Sequence, residues 1–165
     1  MGMATLTETP KLHEVALRPA IFADAGMLLA WRNDLQTRAE SLNTAEISQS
    51  EHESWLRRVL ADNGRQLYIA EVNGVAAGTV RADLCSEANF YELSWTVAPQ
   101  FRGQGVGKVM VKQLADHLAE FKIIARVKPN NRASMSIAIH AGMQLREQRD
   151  GVQIYQREPA SESMQ

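Results

Sequence analysis

The sequence predicts an α/β fold built on a mixed, mostly antiparallel central sheet flanked by about four helices. Three observations predict it. Asn73-Gly74 and Asp150-Gly151 each join two strand-like runs, the pattern of tight antiparallel hairpins. Two helical stretches follow one another near the N-terminus with no strand between them. Strand and helix alternate only after Phe90, so the chain is not a doubly wound parallel fold.

The elements follow in chain order. VALRP, Val15 to Pro19, reads as a first strand. Asp24 is placed to cap a helix whose apolar positions Leu28, Trp31 and Leu35 recur at helical spacing. Ser48-Gln49-Ser50-Glu51 is a capping box, with Ile47 before it as a staple. Trp55, Val59 and Leu60 continue that helix, and Asn63-Gly64 ends it. LYIAEV (Leu67 to Val72), VAAGTVRADL (Val75 to Leu84) and FYELSWTV (Phe90 to Val97) read as three strands. A helix then carries Val106, Val109, Met110, Leu114, Leu118 and Phe121 on one face. IIARVKP, Ile123 to Pro129, is a strand, and Asn131 to Ala141 is a short helix stopped by Gly142. LREQR and VQIYQR close the fold as the last hairpin.

At 165 residues the chain is long enough for one well-buried core. The domain is expected over 12–158, with flexible tails at 1–11 and 159–165. A net charge of −1 gives no general basic field, which argues against nucleic acid as a partner. No apolar run reaches membrane-spanning length, so no membrane association is expected. Cys85 is the single cysteine, so no internal disulfide forms and a cytoplasmic location is expected. The expected state is a monomer or a homodimer, and no pattern suggests a metal.

FRGQGVGK, Phe101 to Lys108, gives up side chains at Gly103, Gly105 and Gly107 between a strand and a helix. It is not a nucleotide P-loop: Arg102 stands where the first glycine belongs and Val109 where the hydroxyl belongs. The dinucleotide fingerprint fails because Lys108 takes its third glycine position. An ordinary glycine turn is one reading. The other is an anion cradle. Bare backbone N–H groups there can face one side, the following helix adds its unsatisfied donors, and Arg102 and Lys108 add charge.

VAPQFRGQGVGK resembles motif A of the GNAT superfamily of acyl-CoA-dependent N-acyltransferases, whose signature is Arg/Gln-x-x-Gly-x-Gly/Ala; Arg102, Gly105 and Gly107 fill it. VKPNNRASMSIAIHAGM is similar to the next motif of that superfamily, with Asn131 and Ser134 at its Asn-x-x-Ser/Ala positions and Gly142-Met143 at its close. The resemblance implies a GNAT-like fold and acetyl-CoA as co-substrate. It implies that the pyrophosphate of coenzyme A lies on Arg102, Gly103, Gln104, Gly105, Val106, Gly107 and Lys108. The backbone near Thr96 and Val97 would line the pantetheine arm, and Asn131 and Ser134 would contact the coenzyme. Asn131 also reads as a plain N-cap.

Attack of an amine on a thioester requires a neutral amine, an oxyanion stabiliser and release of thiolate. Glu92 sits where the resemblance places a general base; strand alternation alone reads it as a solvent-facing carboxylate. Many family members carry a Tyr as general acid seven residues after the motif Asn, and here that residue is Ala138. Ser134, Ser136 and His140 are the nearby substitutes, with Ser134 taken as the catalytic candidate.

LLAWRNDLQTRAESLNTAEISQSEHESWL resembles a subgroup that acetylates nucleotide-linked amino sugars, as in pseudaminic-acid-type pathways. The resemblance implies an N-acetyltransferase of a small amine acceptor, with Arg32, Arg38 or Arg81 on a diphosphate. Trp31 and Trp55 would stack on sugar or base, or else serve the core. Acetylation of protein N-termini or small amines, and a coenzyme A-binding module without turnover, are the alternatives.

Overall fold

The structure is a computed structural model and describes residues 14–161. The tail expected over 1–11 lies outside the described residues. At the other end, 162–165 lie outside them, while Ala160 donates its N–H to the Ala119 carbonyl at 2.7 Å.

Seven strands form one sheet: β1 Val15–Pro19, β2 Arg65–Val72, β3 Val75–Cys85, β4 Phe90–Val97, β5 Lys122–Val127, β6 Gln144–Arg149 and β7 Val152–Arg157. Their spatial order is β1-β2-β3-β4-β5-β7-β6. Every neighbouring pair is antiparallel except β4 with β5. Asn73, Gly74, Asp150 and Gly151 all have positive φ, as the two expected hairpin turns require.

Five helices flank the sheet: α1 Ala25–Asn33, α2 Leu35–Glu40, α3 Gln49–Ala61, α4 Val106–His117 and α5 Arg132–His140. The first helix does not continue to Leu35. Asp34 adopts φ −55 and ψ 136, which ends α1 and caps α2, its side chain accepting from the Thr37 N–H. Leu35 is 79% exposed and serves no core face. Ser48 caps α3 as expected, its hydroxyl accepting from the Glu51 N–H, while the reciprocal bond of a full capping box, from the Ser48 N–H to the Glu51 carboxylate, does not form.

The sheet separates two apolar clusters. On one face Leu28, Trp31, Leu56, Val59 and Ile69 join α1 and α3 to β2. On the other Val80, Leu93, Met110, Leu114, Ile123 and Tyr155 join α4 to the middle strands. Strand alternation divides the residues: Leu67 and Ile69 face the first cluster, and Tyr68 and Ala70 face the second.

β4 and β5 pair only at Phe90 with Lys122, Tyr91 with Ile123 and Glu92 with Ile124. Beyond Glu92 the strands part. β4 stays paired to β3 up to Val97, and β5 stays paired to β7 up to Val127. The N-termini of α4 and α5 lie at the opening this creates.

Gly78 lets α4 seat closely on β3 and β4. A Cβ there would lie 2.9 Å from the Thr96 carbonyl oxygen and 3.0 Å from Met110 Sδ. The backbone oxygen has no room to yield. Gly78→Ala is therefore expected to destabilise the protein by about 1–3 kcal/mol through overpacking, read as a lower urea midpoint at unchanged slope.

Candidate active site

A cavity of about 1030 Å³ runs from the glycine loop, past the parting of β4 and β5, to the α1–α3 side of the sheet. That exceeds the usual size of a single small-molecule pocket and leaves room for two ligands.

The loop end is built by backbone. Gly103 and Gly105 have φ of 76° and 80°, conformations that a side chain would strain. Gly105 is the N-cap of α4, and no side chain caps that helix. Its first N–H groups are left as donors beside the cavity wall formed by Gly103, Gly105, Val106, Gly107 and Lys108. Gly107 has a second role: a Cβ there would meet Ile137 Cδ1 at 2.5 Å, so it also brings α4 close to α5. Gln104 does not line the cavity; its amide donates to the Gln100 carbonyl at 3.2 Å. Arg102 does line it, but its guanidinium bonds Asp34 and Thr37 of the α2 cap.

The middle of the cavity carries the reactive candidates. Thr96 and Val97 line it from β4, and Asn131 and Ser134 from α5. Asn131 is buried and caps α5 by accepting from the Ser134 N–H at 3.1 Å. The Trp95 indole N–H donates to Ser134 Oγ at 3.2 Å, which leaves the Ser134 hydroxyl proton free. Glu92 faces the cavity and is ion-paired with Arg126, Oε1 to Nε at 3.1 Å. Ala138 lies on the buried face of α5, and Ser136 lines the cavity. His140 sits exposed at the end of α5, away from the cavity.

The α1–α3 end holds charges of two kinds. Arg81 is compensated: Nε lies 2.9 Å from Asp83, and the guanidinium covers the Trp55 ring at 5.2 Å. Arg32 has no carboxylate partner among the described residues. Its Nη2 donates to the Asn43 carbonyl at 2.7 Å, and its Nη1 is buried without a partner. Burial, and then the neighbouring charge of Arg38, hold the Arg32 guanidinium below its ordinary value. Arg38 itself does not line the cavity; its Nε donates to the Thr44 carbonyl at 3.1 Å. Trp31 is buried in the core and still touches the cavity, whereas Trp55 is partly open.

Two features were not singled out in the sequence as site chemistry. Arg126 pairs with Glu92 from the neighbouring strand, a contact no local pattern encodes. His52 is 4% exposed, stacks on Trp55 at 5.5 Å and lines the cavity, yet its Nε2 has no partner. The His52-to-Trp55 spacing was visible, but nothing in it signalled burial. Burial pushes the His52 pKa below 6.5, opposed by a backbone hydrogen bond to Ala25 and by Glu53, and assisted by Arg32.

The unfolded chain thus binds a proton at His52 before the folded one does. Stability from this group is complete above about pH 6.5 and falls as pH drops below it. His52→Gln is expected to flatten the loss of urea midpoint between pH 7.5 and 5.5; an unchanged acid limb refutes the assignment.

A family model described as an acetyltransferase (GNAT) domain matches residues 14–144. No curated protein matches the sequence. Solved structures share the fold at low identity. AAC(6')-Ib, solved with paromomycin and acetyl-CoA, aligns at TM-score 0.75 and 22% identity over 88% of this chain and 93% of that one. Spermidine N-acetyltransferase from Vibrio cholerae, with CoA and spermine, aligns at 0.76 and 15% over 87% and 94%. RimL, a ribosomal L7/L12 alpha-N-protein acetyltransferase solved with coenzyme A, aligns at 0.75 and 16% over 88% and 94%. The matched domain spans most of the sheet, both glycine-bearing motifs and the cavity between them, and the chain belongs to the GNAT acetyltransferase domain family.

Proposed function

We propose that this chain is an N-acetyltransferase that moves the acetyl group of acetyl-CoA to the amine of a small, negatively charged acceptor, a nucleotide-linked amino sugar. The observation that carries the acceptor reading is Arg32. A partly buried guanidinium that has lost solvation and gained no carboxylate is stabilised by an anion from outside. Arg38 beside it adds a like charge, which repels a polyamine.

The donor end suits a pyrophosphate. Uncapped N–H groups of α4, two glycines at positive φ and Lys108 form the cradle, with the pantetheine arm along Thr96 and Val97. The amine attacks the thioester carbonyl, a C–N bond forms and the C–S bond breaks. Glu92 takes the amine proton, directly or through water, and a backbone N–H near Val97 meets the oxyanion. The free Ser134 hydroxyl proton serves the departing thiolate, with Trp95 holding its oxygen. Arg126 is half exposed, so its guanidinium can swing into solvent as the amine arrives at Glu92.

A second reading, a coenzyme A-binding module without turnover, is favoured by Ala138 and by the ion pair on Glu92. Thiol release separates the two, measured with acetyl-CoA and a panel of nucleoside-diphosphate-linked glucosamine, free glucosamine and spermidine. The linked sugar is expected to react far faster than the other two; equal rates on linked and free sugar overturn the acceptor reading, and no turnover with any amine favours the module. Arg32→Ala is expected to raise the acceptor KM roughly 10- to 150-fold, about 1.5–3 kcal/mol, with the acetyl-CoA KM unchanged. Glu92→Gln is expected to lower kcat on the order of 10²-fold with coenzyme A affinity intact. A wild-type rate across the pH range returns Glu92 to a structural role.

A further inference from the structure

α2 is a weakly anchored piece of the cavity wall. It has six residues, too few to be stable alone. Its one buried residue is Thr37, and Leu35 points out to solvent. Apolar packing therefore does not hold it. Yet Gln36, Thr37 and Glu40 line the cavity beside Arg32.

Polar contacts hold it instead, and three of them converge on the Asp34 carboxylate. Asp34 Oδ2 accepts from the Thr37 N–H at 3.1 Å and from Thr37 Oγ1 at 3.3 Å. Arg102 Nη2 donates to the same Asp34 oxygen and, at 3.0 Å, to Thr37 Oγ1. Asp34, Thr37 and Arg102 thus form a closed triad that joins the break between α1 and α2 to the start of the glycine loop. The Arg102 guanidinium and the Thr37 N–H hold the Asp34 carboxyl below its ordinary range. A second tether, Lys128 Nζ to the Ala39 carbonyl at 3.0 Å, is exposed and comes from the residue just after β5.

We propose that Arg102 is a positioning residue for the acceptor, anchoring α2 as the wall of the acceptor site through Asp34 and Thr37. Its side chain is committed to that wall, and the backbone beyond it serves the coenzyme. The acceptor wall is then fixed to the loop that binds the donor, over a sequence separation that local structure does not bridge. The inference rests on reading the α1–α3 end as the acceptor side, but not on which acceptor it takes.

The test uses the full chain with Arg102→Gln, Asp34→Asn and the double variant. Gln keeps a donor without the charge. Asn keeps the cap on Thr37 without the charge. Each single variant is expected to speed amide hydrogen exchange at residues 37–41 about tenfold or more, with β3 and β4 protection unchanged. The double variant is expected to add nothing further, because the groups act as a unit. Coenzyme A affinity by calorimetry is expected to stay within about threefold of wild type, since no phosphate ligand is lost. With nucleoside-diphosphate-linked glucosamine, the acceptor KM rises while kcat and the acetyl-CoA KM hold. Arg102→Lys is expected to recover part of the protection. A loss of coenzyme A affinity of tenfold or more in Arg102→Gln, with exchange of α2 unchanged, overturns the proposal and makes the side chain a cradle ligand. A silent Asp34→Asn, or additive singles, overturns it as well. If the linked sugar is not acetylated at all, the acceptor reading fails, and the exchange and calorimetry results still decide Arg102.

Discussion

Beyond Glu92 and Ile124, β4 and β5 share no further pair, and the site is arranged around that parting. Each strand is committed elsewhere: β4 to β3 along its length, β5 to β7. A strand edge with no neighbour leaves N–H and C=O groups that must find water or a ligand. From Leu93 to Val97, β4 turns a main-chain edge without a strand partner toward β5 and lines the cavity. The helices complete it without filling it. α4 brings uncapped donors to one side of the gap, and α5 brings Asn131 and Ser134 to the other. The Trp95–Ser134 hydrogen bond ties β4 to α5 at one point of the opening.

The chain carries a formal net charge of −1, yet the charges in the cavity are sorted by pairing. Arg81 shares Asp83 with Arg65, Arg126 holds Glu92, and Arg102 holds Asp34. Among the described residues that line the cavity, Arg32, Glu40 and Glu51 at one end and Lys108 at the other have no ion pair. Pairing confers rigidity on some side chains and leaves the others to act through their field. An overall count of charge reports neither.

Local signals were legible in the sequence wherever the physics is local. The hairpins at Asn73-Gly74 and Asp150-Gly151, the N-cap at Ser48 and the glycine loop all depend on residues within a few positions of each other, and all appear where expected. The break at Asp34 was missed because Leu35 continues the apolar spacing of α1. What ends α1 there is the extended Asp34 backbone, and Arg102, 68 residues away, bonds the Asp34 side chain. The commitment of Glu92 to Arg126 was invisible for the same reason: it needs β4 beside β5 before it can form. Arg38 shows the converse. The subgroup resemblance implies it as one of three arginines for a diphosphate, but its Nε donates to the Thr44 carbonyl and it lies outside the cavity lining, where its charge still acts on Arg32.

The cavity is one continuous space, from the glycine loop at one end to Arg32 at the other. A single molecule in which coenzyme A is joined to an acceptor by a short covalent link can therefore lie across both. For such a ligand the second half binds intramolecularly, at an effective concentration in the millimolar range or above for a short linker. On the proposed reading, weak recognition at the Arg32 end is then amplified by recognition of the coenzyme half at the glycine loop. A set of conjugates with one donor half and varied acceptor halves would rank the chemistry of the open end by affinity alone, before any turnover is seen.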